Sequence, residues 1–150
     1  SRCHSDEGLD WNIEHYERWY GERRGASPDR ARARAIARAY AGEAEAVPEL
    51  LGLLANETVP ARRATLLSLA AQLLPEDASV LAAARRAAED RDPLVRSAAV
   101  RALGADPEAS RVTLENALRD PARLVRVDAA WALSPMLPAE SDSRHEEMRA

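Results

Sequence analysis

Asp92-Pro93-Leu94-Val95-Arg96-Ser97-Ala98-Ala99-Val100-Arg101-Ala102-Leu103 is the stretch on which the fold turns. It opens with a carboxylate suited to accept a first-turn amide, followed by a proline where no amide donor is needed. That pair starts a helix. Leu94, Val95, Ala98, Ala99, Ala102 and Leu103 then form one apolar band at helical spacing, with Arg96, Ser97 and Arg101 toward its edges. Such a helix cannot bury its band alone. Stacked neighbours complete the core.

Those neighbours are written in the flanking sequence. Asp120-Pro121 opens a second version that runs to Leu133, with an insertion before Val125-Arg126. Val59-Pro60-Ala61-Arg62-Arg63 opens a third, which lacks the Asp. Arg63, Arg96 and Arg126 sit at similar depth, 33 residues from the first to the second and 30 from the second to the third. Spacings in this range mark stacked helical repeats. Three helix pairs follow, with first members at about 44–55, 78–89 and 107–118 and second members at about 60–74, 93–103 and 121–133. Trp131 is expected in the core or between repeats.

Ahead of the pairs, Leu9, Ile13, Tyr16 and Tyr20 share one helical face, and Gly21 suits a C-terminal cap. Ser27-Pro28 starts the next helix, ending near Tyr40 to Gly42. Behind the pairs, Ser141-Asp142-Ser143 is set to cap another helix that begins Arg144-His145-Glu146-Glu147 and is expected to fray. The domain reading is 1–24 as an N-terminal helix, 25–137 as the repeats and 138–150 as a polar tail.

Composition agrees. A chain of 150 residues fits one domain with a core that needs no cross-links. With 4% aromatic residues and no Phe, the core is left to Ala, Leu and Val, so helices must pack closely and the class is all-α. All 21 basic residues are Arg, yet the net charge is −4, which argues against nucleic acid as a partner. Arg30, Arg34 and Arg38 share a stripe, read as a solvated face. No apolar run reaches the length needed to span a membrane. The single cysteine, Cys3, excludes an internal disulfide. No initiator Met or signal peptide is present, and both ends read as cut from something larger.

The Asp92 to Leu103 stretch resembles the second helix of a HEAT repeat, with a second good copy at Asp120 and a degenerate one at Val59. The resemblance covers about 44–137 and implies a right-handed α-solenoid of antiparallel helix pairs. A second resemblance lies at the N-terminus. Ser1-Arg2-Cys3-His4 matches the end of Cys-x-x-Cys-His, the haem c attachment pattern. With Ser5-Asp6, Trp11 and Glu17-Arg18-Trp19-Tyr20-Gly21 it is similar to the segment that leads from the last haem motif into HEAT-like repeats in bacterial multihaem cytochromes c. That resemblance implies Cys3 as the second thioether cysteine and His4 as the proximal ligand, with haem c in the full-length parent and no cofactor bound by this chain alone. The missing first Cys departs from the pattern.

No catalytic set emerges: no Ser, His and acid arrangement, no Gly-rich phosphate loop and no His-rich metal motif. His15 is read as a surface helical residue ahead of a distal haem ligand or a metal partner of Cys3 and His4. Trp11 and Trp19 are read as packing residues ahead of a haem edge, and His145 as tail composition. The expectation is a non-enzymatic interaction and packing domain of an extracytoplasmic, periplasmic multihaem cytochrome c serving electron transfer. Its partner is a protein or the haem-bearing part of the same chain. The alternative is a stand-alone HEAT-repeat protein-binding scaffold with no redox role.

Overall fold

A computed structural model describes residues 9–20 and 28–137. These contain eight α-helices and no strand among the described residues. The chain contacts divide into two compact units, Ser1–Arg34 and Ala35–Ala150.

In the first unit, α1 (Leu9–Tyr20) carries a Glu14–Arg18 ion pair of 2.6 Å in the favourable i, i+4 order. Tyr16 and Tyr20 stand exposed beside each other, ring centres 5.1 Å apart. The unit boundary falls inside α2 (Pro28–Tyr40).

The second unit begins with the last turns of α2. Gly42 takes φ +80°, the left-handed conformation that ends a helix, and the Glu43 amide reaches back to the Arg38 carbonyl at 3.1 Å. Three helix pairs follow: α3 (Val47–Asn56) with α4 (Pro60–Leu73), α5 (Ala78–Ala87) with α6 (Pro93–Leu103), and α7 (Pro107–Ala117) with α8 (Arg123–Leu133). Each first helix packs on its own second helix, and α4 packs on α6, and α6 on α8. The second helices therefore form a row, with α6 in the middle.

The start signals explain most boundaries. Asp77 accepts the Ser79 and Val80 amides, Asp92 that of Leu94, and Asp106 that of Ala109. Val59 offers no side-chain cap to α4, and Glu57 substitutes by accepting the Thr58 and Val59 amides at 2.9 Å each. Two starts depart from expectation. Residues 44–46 form a 3-10 turn before α3, because Pro48 has no amide to donate to the Ala44 carbonyl. The third pair's second helix begins at Arg123 with Ala122 as its cap, so Asp120-Pro121 lies in the loop ahead of it.

The core is built from Ala, Leu and Val, with Leu66, Leu67, Leu103 and Leu114 fully buried. Two expectations about α6 are corrected. Leu94 is exposed, and Ser97 is buried. Flanked by α4, α5 and α8, this helix buries three sides rather than one band, and the Ser97 hydroxyl is satisfied across the gap by the Asp128 carboxylate at 2.5 Å. Trp131, expected in the core or between repeats, is not in the core: it is 73% exposed on α8.

Candidate interaction surface

The arginines that marked the repeats organise the loops between helices. Glu57, Asp90 and Asp120 each stand six positions before Arg63, Arg96 and Arg126. Arg96 turns one guanidinium nitrogen onto the carbonyls of its own loop, Asp90 at 2.8 Å and Arg91 at 2.9 Å. Its Nε and other terminal nitrogen grip the carboxylate of Asp120 in the next pair, at 2.7 and 2.8 Å. Planar two-point contacts of this kind are among the stronger hydrogen bonds in proteins. One step earlier, Arg63 reaches Asp90 at 2.5 Å. One step later, Arg126 holds the Asp120 and Pro121 carbonyls at 2.7 and 2.9 Å. A ladder of arginines thus ties each pair to the next.

Electrostatics reflect the geometry. Hydrogen bonding from Arg96 holds the Asp120 carboxyl below its ordinary range despite partial burial, helped by the Ala122 amide. The same bond raises Arg96. Asp120 is therefore a fixed acceptor, unsuited to trade protons near neutrality. Asp77 is likewise lowered, first by the Ser79 hydroxyl and then by the amides of Ser79 and Val80. Arg38, read from sequence as part of a solvated stripe, remains partly exposed and bridges Glu43 at 2.7 Å and Glu49 at 3.2 Å.

On the row of second helices, a hollow of about 300 Å³ opens between α4 and α6, lined in part by Ser68, Gln72, Pro75, Ala98, Arg101 and Ala105. Its lining offers a guanidinium, an amide and a hydroxyl but no nucleophile with an adjacent base.

Of the residues singled out from sequence, Cys3, His4 and His145 lie outside the described residues. His15 stacks on Trp11 with ring centres 3.9 Å apart and meets Trp19 edge-on at 5.6 Å. Its Nδ1 donates to the Trp11 carbonyl at 3.0 Å, which leaves Nε2 as the acceptor facing Arg18 at 3.5 Å. Both ring nitrogens are thus occupied within α1. Among the described residues no group of three or more His, Cys, Asp or Glu side chains is arranged to hold a metal. Covalent haem attachment uses two thiols and this sequence holds one cysteine, so its residues alone do not fit haem c.

The sequence reading missed Asp90, the partner of Arg63, and the Ser97–Asp128 bond. It also aligned Asp92-Pro93 with Asp120-Pro121, whereas by the arginines Asp90 corresponds to Asp120 and Asp92 to Ala122. The constant six-residue step from acid to arginine was the available signal. No family model, curated protein or solved structure matches the chain.

Proposed function

We propose that this chain is a non-catalytic interaction and packing domain, a right-handed HEAT-like solenoid that presents its row of second helices to a protein partner. The observation that carries this reading is the arginine ladder. Arg63 and Arg96 each clasp a carboxylate of the following pair, so successive pairs are joined by one recurring contact. Recurring contacts between neighbours are what a stacked array of repeats requires. The charged and apolar mix around Arg101, without a reactive group, supports recognition over catalysis.

The setting we favour is the C-terminal part of an extracytoplasmic multihaem cytochrome c, with electron transfer carried by haems elsewhere in the parent. Its support is the order Cys3-His4, Trp11, Trp19-Tyr20-Gly21 and then the repeats. A stand-alone scaffold is favoured instead by the occupied nitrogens of His15. The parent protein, exported with haem-attachment machinery, separates the two. Covalent haem and low-spin absorption bands altered by His4→Ala support the cytochrome. A parent with no Cys-x-x-Cys-His ending at His4 leaves the scaffold.

A further inference from the structure

The two ends of the row differ. At the α3–α4 end, Ala35, Ile36 and Ala39 of α2 pack against Val47, Leu50 and Leu66, and the apolar surface is covered. At the other end, positions that are buried in the inner repeats stand open. Ala64 and Ser97, each following its repeat arginine by one residue, are buried, whereas Val127 is 43% exposed. Leu67 and Val100, four residues after their arginines, are fully covered, whereas Ala130 is exposed beside Trp131.

Charge shows the same asymmetry. Arg126 repeats the anchoring of Arg96 on its own loop carbonyls. The edge of its guanidinium, which in Arg96 grips the next carboxylate, has no hydrogen-bond acceptor among the described residues. An anchored arginine with one edge open, beside an apolar patch, is a seat shaped for an acid and a helix together.

We infer that the outer face of α8 is a repeat-to-repeat interface, and that its occupant is one further helix pair of the same build, joined through the chain beyond Leu137. Its inter-helix loop supplies an Asp or Glu to Arg126, and its helices cover Val127, Ala130 and Trp131. The sequence past Leu137 offers a matching start: Asp142 in Ser141-Asp142-Ser143 is the residue type that caps α5 and α7 at Asp77 and Asp106. This inference rests on the repeat reading, but Arg96–Asp120 coupling tests that reading separately and survives a failure here.

The test inserts a second copy of residues 105–137 after Leu137 in the full chain. One cooperative transition is expected, with a midpoint raised by about 5 °C. Arg126→Met should remove most of that gain, as should Asp→Asn at the copied position of Asp120. Arg126→Met should lower the midpoint of the 150-residue chain by less, because there it loses only the bonds to the Asp120 and Pro121 carbonyls. An alternative insert of residues 76–105, which brings Asp90 in the same loop position, guards against a junction that does not fold. Failure of both inserts to raise the midpoint overturns the inference. So does an equal effect of Arg126→Met with and without the insert, which leaves the Asp120 and Pro121 carbonyls as the only partners that matter. Dimers of the 150-residue chain that Trp131→Arg abolishes in sedimentation would assign the face to a second copy and overturn it as well.

Discussion

At the scale of single residues, two aspartates that look alike in sequence do different work. Asp92 caps α6 through one amide, that of Leu94 at 2.9 Å. Asp120 accepts the Ala122 amide at 2.8 Å and two bonds from Arg96, with the pair's side chains only 14% and 10% exposed. Asp92→Ala should cost about 1 kcal/mol, an ordinary cap loss. Asp120→Ala should cost more, about 1.5–3 kcal/mol, because it also strips a charged partner from Arg96. Equal losses in urea denaturation would contradict that ordering. The pH dependence follows from the lowered Asp120 carboxyl. A group that binds its proton less readily when folded contributes stability that is complete above the unfolded value of about 3.9. That contribution falls as pH drops below it and is gone once the folded group protonates. Asp120→Asn should therefore flatten the acid side of the stability curve below about pH 4 and leave its slope near pH 7 unchanged. An unaltered acid limb would contradict the assignment.

At the scale of elements, the starts of helices were legible and their neighbours less so. Proline and aspartate act through bonds within a few residues, so Pro60, Pro93 and Pro107 placed α4, α6 and α7 correctly. The start at Arg123 was misread because Asp120 is engaged by Arg96, a partner 24 positions away in the chain. The burial of Ser97 was missed for the same reason, since Asp128 reaches it from another helix. Close approach between elements was also silent in the sequence. Gly104 takes ordinary helical angles, yet a Cβ there would meet the Ala132 Cβ at 3.1 Å and the Arg101 carbonyl at 3.2 Å. Both contacts belong to backbone or to atoms fixed on it, so α8 must shift to admit a methyl. Gly104→Ala should destabilise by about 1 kcal/mol, and Gly104→Val by more. A raised midpoint for the alanine variant would show that the α6–α8 spacing is slack. In α7, the Ser110 hydroxyl is buried without a hydrogen-bond partner among the described residues. Ser110→Ala should stabilise by about 1 kcal/mol in the same denaturation assay, and a loss of that size would reveal a partner for the hydroxyl.

At the scale of the whole chain, the all-α class was readable from the scarcity of aromatics and the recurring Pro and Arg positions. The candidate surface was only half readable. Arg63, Arg96 and Arg126 announced themselves by spacing, but what they hold depends on which loop the row of second helices brings beside them. Cys3 and His4 carry a resemblance and lie outside the described residues, so the haem setting rests on sequence alone. Successive pairs are clasped to one another through Arg63 and Arg96. A double-mutant cycle on Arg96→Met and Asp120→Asn in the full chain measures that clasp directly. A coupling free energy of about 1.5–3 kcal/mol is expected, well above the roughly 0.2–1 kcal/mol of exposed surface pairs. Additive losses, with coupling near zero, would contradict it.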